Sequence, residues 1–312
     1  MRDETTLGAP RAVSARRGLA LGLGAALIWG AYVAFARAGV ADGLQPEDFV
    51  VLRFGIAGLI MLPYMLRKGI GTLAGVGWGR GFWMMLCAGP LFMLLVPAGF
   101  IFAPLPHGAV VPPASTVLCS MLLAALVLGD HPPRRRIVGV LMIFAGLLCI
   151  AGSGFLAGAG ARAWIGDLMF FGAGFLWAIF TVLQQRWRVA PMQAVAALSV
   201  FSALVVLPPY IAWSGFDRLL ALPLPMLIVQ IVIQGVLAGA VAVLAYSSAV
   251  AILGASRAAA FPAIVPGTAT LIGIPLTGEW PSALQWIGIA VVTLGLLAAL
   301  GVRLPRRAAK KV

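Results

Sequence analysis

Charge is what this sequence has least of. Only 10% of its 312 residues are Asp, Glu, Lys or Arg, with just nine acids, against 62% hydrophobic residues. A water-soluble chain with so few charges does not cover its own surface. Histidine is limited to His107 and His131 and cysteine to Cys87, Cys119 and Cys149, each alone in an apolar stretch. That scarcity excludes a disulfide framework and any recognisable metal-ligand spacing. No glycine-rich ATP-binding loop, HExxH pair or Asp pair within an apolar segment occurs, so hydrolysis-driven transport and intramembrane catalysis both lack their parts. Gly254-Ala255-Ser256-Arg257-Ala258 is superficially like a nucleophile elbow but has no strand-to-helix setting.

Long apolar runs are abundant. Mean hydropathy is +1.05, and a spanning helix needs roughly 20 apolar residues. Ten runs are predicted as spans: 18–37, 49–66, 81–103, 107–128, 137–155, 165–185, 190–213, 225–250, 256–277 and 282–302. The fold class expected is an all-α polytopic membrane protein.

Two stretches of the chain are versions of each other. Moving 107–151 forward by 149 residues superposes Pro113 on Pro262, Gly129-Asp130 on Gly278-Glu279, Gly139 on Gly288 and Gly146 on Gly295. Half of the identities are Gly or Pro, which fix backbone geometry and so outweigh matches between common apolar residues. Gly18, Gly24 and Trp29 recur as Gly166, Gly172 and Trp177, and Pro46 and Pro63 as Pro191 and Pro208. The predicted organisation is a cytoplasmic tail (1–17), a five-helix repeat (18–155), a Gly/Ala-rich linker (156–164), a second five-helix repeat (165–302) and a basic cytoplasmic tail (303–312). Five spans is an odd number, so the second repeat enters the membrane from the opposite side and the repeats are inverted, an arrangement suited to alternating access.

The net charge of +13 has a membrane explanation. The tails and the loops on their side hold 18 Lys and Arg, against 4 on the other side: Arg37, Arg53, Arg162 and Arg218. This asymmetry places both termini in the cytoplasm and removes the need for a nucleic-acid partner.

Several words along the chain resemble those of one family: Leu27-Ile28-Trp29-Gly30, Leu52-Arg53-Phe54, and the run from Pro266 through Leu271 to Gly278-Glu279. On these, residues 18–302 look like an EamA-type transporter of the drug/metabolite transporter superfamily. The resemblance implies carriage of amino acids and related metabolites, nucleobase-like compounds or drugs, often outward across an inner membrane. Departures are visible. Tyr32 stands where family members often carry a small polar residue, commonly Asn; Val117 replaces the proline matched at Pro266; and Asp130 replaces Glu.

Candidate cavity residues follow from residue chemistry. Gln230 and Gln234 share a helical face, and amides in hydrocarbon need partners, so that face is expected to look into the bundle or a wet cavity. Trp29, Tyr32 and Trp177 offer aromatic faces to a substrate or to neighbouring helices. Arg53, predicted to open the second span on the outer side, suits an outer gate, an anion or an ion pair with Glu47 or Asp48; His107, opening the fourth, suits a proton-sensitive gate or a helix cap. Pro97, Pro113, Pro262 and Pro266 are expected to break their helices beside the pathway. Gly139/Gly146 and Gly288/Gly295 form a small-residue stripe for close packing. The candidates favour a neutral or zwitterionic amphipathic solute as cargo. The partners expected are that small molecule and the lipid bilayer, without a cofactor; a homodimer is left open, and a scaffold or sensor without flux is the rival class.

Overall fold

The computed structural model describes residues 9–128, 133–156, 162–253, 258 and 261–299. The Gly129-Asp130 turn, Arg257, residues 157–161 of the predicted linker and the basic tail lie outside them.

The described residues form helices only. In chain order these are α1 (Ala9–Ala41), α2 (Pro46–Lys68), α3 (Trp78–Ala88), α4 (Pro90–Phe102), α5 (Leu105–Leu128), α6 (Arg134–Leu156), α7 (Ala163–Trp187), α8 (Pro191–Trp213), α9 (Asp217–Leu220), α10 (Leu224–Gln230), α11 (Ala242–Leu253), α12 (Val265–Thr277) and α13 (Ala283–Ala299). A π-helical segment, Ile231–Val241, joins α10 to α11, and a 3-10 turn, Phe261–Ile264, leads into α12. Seven helical stretches are long and apolar enough to cross a membrane, and Ile137–Gly146, Val265–Thr277 and Ala283–Gly295 are shorter apolar helices. Leu126, Leu148 and Leu271 are largely exposed on the outside of the bundle, which water would penalise and a bilayer does not.

Local chemistry sets the boundaries. Pro46 and Pro191 occupy the first turns of α2 and α8, where a missing N–H costs nothing. Two expectations are corrected. Helix α1 already begins at Ala9, ahead of the first span predicted at 18–37. The third span breaks at Gly89-Pro90, between α3 and α4, while α4 runs through Pro97.

Packing pairs α6 with α13, α5 with α7, α1 with α12, α2 with α8, α1 with α11 and α4 with α7. The glycine stripe explains the first pair. A Cβ at Gly146 would stand 2.8 Å from Gly288 O, and one at Gly295 would stand 2.7 Å from Gly139 O, so the two backbones meet where only glycine fits.

At the start of α2 a polar cluster replaces the anticipated Arg53 ion pair. Asp48 is fully buried and accepts bonds from the Tyr210 hydroxyl (2.6 Å), the Gln45 N–H (2.8 Å) and Arg218 Nε (3.1 Å), while Glu47 also receives Arg218 (2.6 Å). Both acids raise the Arg218 pKa, the Asp48 hydrogen bond most. Asp48→Ala strands a buried hydroxyl and a helix-end N–H, and is expected to cost about 1–3 kcal/mol. Glu47, a more exposed partner, is expected to cost under about 1 kcal/mol on replacement by Ala. Thermal melts of the two purified variants check the contrast.

Candidate functional site

The largest aromatic assembly stands where α1, α4, α7 and α11 converge. Trp29 and Trp177, the pair related by the repeat, touch edge to face with ring centroids 5.4 Å apart. Tyr246 packs on Trp29 at 5.0 Å, and Phe92 and Phe180 pack on Trp177 at 5.1 and 5.3 Å. Such contacts hold rings in fixed orientation.

Beside them lies a cavity whose non-atom space, including its mouth, is ≈ 570 Å³. Its wall includes Trp29, Tyr32, Arg53, Phe92, Thr116 and Trp177. Prolines complete it: Pro112 and Pro113 from α5, and Pro262 from the 3-10 turn. Of the four proline positions expected to break helices, Pro113 and Pro262 line the cavity, but α5 runs unbroken through Pro113. Pro97 and Pro266 are buried outside that lining. Pro266 sits in the first turn of α12, just after the one true departure from α-geometry in that stretch.

The close approach of α5 to α7 brings the wall together. At Gly174 a Cβ would overlap the Pro112 carbonyl oxygen and Ser115 Oγ. The Gly174 carbonyl in turn accepts the Thr116 hydroxyl at 3.2 Å. Trp177, one turn further along α7, thereby faces the cavity.

Arg53 is the correction that matters most. Its side chain lies deeper than a position opening the span implies: the residue is 3% exposed, two turns inside α2, and on the cavity wall. Its guanidinium stands 5.1 Å from the centroid of the Tyr32 ring, a cation–π contact, and one terminal nitrogen donates to Ala238 O at 3.1 Å. Its other terminal nitrogen, NH1, has no hydrogen-bond partner among the described residues. Ala238 belongs to the π-helical segment, a feature with no marker in the sequence.

The two glutamines are placed differently from the cavity reading. Gln230 donates to Phe35 O at 3.1 Å, and Gln234 donates to Gln230 Oε1 at 3.1 Å. Both are buried, and neither lines the cavity. They tie the end of α10 and the π-helical segment to α1, as amides in hydrocarbon do when a carbonyl is in reach.

His107 also turns away from the central cavity. Its Nδ1 lies 2.7 Å from Asp167 Oδ1, and it lines a lateral cavity with Phe144, Trp164 and Phe171 between α5, α6 and α7. The next residue, Gly108, lines the central one. Phe92, Val96, Thr116 and Val265 were missed by sequence reasoning. Apolar residues at helical spacing carry no sign of which face meets a cavity, although the proline pair at 112–113 marks the neighbourhood of Thr116.

An ion pair closes one end of the bundle. Arg37 at the end of α1 donates through Nε to Glu279 Oε1 (2.7 Å) and through NH1 to Phe100 O (2.7 Å). Glu279 Oε2 accepts the N–H of Leu105, the first residue of α5, at 2.9 Å. One carboxylate thus joins three helix ends.

The model of the EamA-like transporter family matches twice, over residues 16–152 and 164–301. The chain belongs to the EamA-like transporter family. It is therefore a multi-pass membrane protein. It is similar to the uncharacterized inner membrane transporter YedA of Escherichia coli (strain K12), 23% identical over 288 residues and 88% of each chain. An uncharacterized transporter of Bacillus subtilis (strain 168), YwfM, is 26% identical over 88% of this chain and 90% of its own. An uncharacterized transporter of Archaeoglobus fulgidus is 25% identical over 195 residues, which span 61% of this chain and 65% of that protein's length. A crystal structure at 19% identity, covering 90% of this chain and 96% of its own, shares the fold with a TM-score of 0.64.

Proposed function

We propose that this membrane transporter is a secondary carrier that moves a small neutral or zwitterionic amphipathic metabolite, in the export direction, by alternating access. The observation that carries the reading is the aromatic cavity in which Trp29 and Trp177, repeat mates from the two halves, meet across 5.4 Å. A binding site shared by both halves changes its exposure when one half rocks against the other.

Ten spans in two inverted repeats are the architecture proposed, with both termini cytoplasmic. The seven long and three shorter apolar helices support that count. The packing pairs support the twofold relation: exchanging the halves turns α5·α7 into α12·α1 and α4·α7 into α11·α1, and leaves α2·α8 and α6·α13 unchanged. Orientation rests on the Lys and Arg asymmetry. Repeat boundaries at 18–155 and 165–302, a linker at 156–164 and cytoplasmic tails at 1–17 and 303–312 belong to the same proposal.

Counterflow tests it: purified protein in proteoliposomes, preloaded with unlabelled solute, is screened with radiolabelled amino acids, nucleobases and vitamins, with and without a pH gradient. Saturable counterflow of one solute class is the expected result. Its absence for every class from folded protein contradicts the carrier reading and favours a scaffold or sensor.

The Arg37–Glu279 clamp acts in this scheme as the closed outer gate. Glu279→Gln removes the charge that holds Arg37 and weakens the bond to Leu105. A single cysteine at Thr116 in that background is expected to react several-fold faster with an impermeant thiol reagent added outside. An unchanged rate would remove Glu279 from the gate.

A further inference from the structure

We infer that Arg53 is the docking point for the carboxylate of the transported solute, so the substrate class is a small amphipathic carboxylate with an aromatic body. The inference rests on the carrier reading and changes its cargo: the solute bears a carboxylate, which admits anions and zwitterions and excludes uncharged head groups.

Arg53 carries a charge with no counter-ion among the described residues. Arginine stays protonated in proteins, and a charge inside a membrane protein is costly unless it is paired or serves a pathway. Arg53 appears in none of the ion pairs among the described residues. The acids close to it in sequence, Glu47 and Asp48, are both taken by Arg218. The Tyr32 ring and the Ala238 carbonyl compensate the guanidinium in part, yet NH1 remains a buried donor with no acceptor among the described residues. Leaving such a group unsatisfied costs about 1–3 kcal/mol, more for a charged one. A ligand carboxylate supplies both the acceptor and the charge.

The rest of the wall defines the ligand's other end. The Tyr32 hydroxyl is directed to Met93 Sδ (3.6 Å) and the Thr116 hydroxyl to Gly174 O (3.2 Å). Among the described residues no acid lines the cavity, so an amino group finds no counter-charge there, only aromatic faces. Trp29, Phe92 and Trp177 receive an apolar body. A cationic amine meets the Arg53 charge and is rejected.

Four probes share one body and differ in head group: phenylacetate (anion), phenylalanine (zwitterion), phenylacetamide (neutral) and phenethylamine (cation). Counterflow and binding, the latter by quenching of intrinsic tryptophan fluorescence, are measured on the full chain and on Arg53→Gln. Glutamine removes the charge but ends short of the terminal nitrogen that reaches Ala238 O, so the melting temperature of Arg53→Gln is measured beside binding to separate docking from helix tethering. The wild type is expected to bind phenylacetate or phenylalanine at least tenfold more tightly than phenylacetamide, and Arg53→Gln to abolish that ratio while keeping amide binding. Equal binding of acid and amide, or a ratio untouched in Arg53→Gln, overturns the inference. Saturable counterflow of phenethylamine or phenylacetamide in preference to the acids also overturns it while leaving the carrier standing. If none of the four binds, the aromatic-carboxylate class is wrong, and the wider counterflow screen then decides the carrier reading on its own.

Discussion

Replacing Gly174 by leucine yields no folded, monodisperse protein, and even Gly174→Ala melts at a markedly lower temperature than the parent. The reason is a contact between backbones. A Cβ at this position overlaps the Pro112 carbonyl oxygen, which cannot rotate aside, as well as Ser115 Oγ, which can. Relief requires α5 and α7 to separate, stretching the 3.2 Å bond from Thr116 to the Gly174 carbonyl. Overpacking a core costs about 1–3 kcal/mol when side chains absorb it, and a backbone clash exceeds that range. Fluorescence-detected size-exclusion chromatography after heating measures both variants. Gly172, two residues earlier, has only the Leu95 side chain nearby at 3.5 Å. Gly172→Ala therefore serves as the control and melts close to the parent.

Trp177→Ala is expected to lower the transport kcat/KM by at least tenfold and to destabilise the fold by about 3–5 kcal/mol, the range for deleting a buried Trp or Phe. Trp177 is 6% exposed and its ring contacts Trp29, Phe92 and Phe180 within 5.4 Å between centroids. Removing it deletes one wall of the cavity and frees the neighbours that it orients. Trp177→Phe retains part of each contact and should recover most of the stability with less of the transport. Initial rates in proteoliposomes, normalised to inserted protein, separate the two effects. A Trp177→Ala protein that transports at the parent rate would show that the aromatic assembly is packing alone.

How much of this was legible depends on whether the signal was local. The tryptophan pair was, because the spacing that relates Trp29 to Trp177 also relates two pairs of glycines. The glycine stripe of α6 and α13 was legible for the same reason, and its backbone contacts at 2.7 and 2.8 Å explain why glycine recurs there. Partners on distant elements were not. Arg218 lies 170 residues from Asp48, so a reading by proximity offers Glu47 or Asp48 to Arg53 as one alternative and cannot see the partner that takes both. Gln234 looked like a cavity residue because an amide in hydrocarbon needs a partner; Gln230, one turn away, already supplies it. His107 finds Asp167 across two helices. The π-helical segment had no marker either, since Ile231–Val241 is apolar with small residues and reads as an ordinary helix.

Accessibility of the cavity from each face of the membrane tests the central claim most directly. Val33 lines the cavity and is 6% exposed, and cysteine at that position changes the volume little. In a background with Cys87, Cys119 and Cys149 replaced by alanine, Val33→Cys is reconstituted and treated with an impermeant methanethiosulfonate on one face at a time. Alternating access predicts modification from either face, at rates that a transported solute changes in opposite directions. Reaction from one face only, whatever solute is present, or no reaction in folded protein, would contradict it.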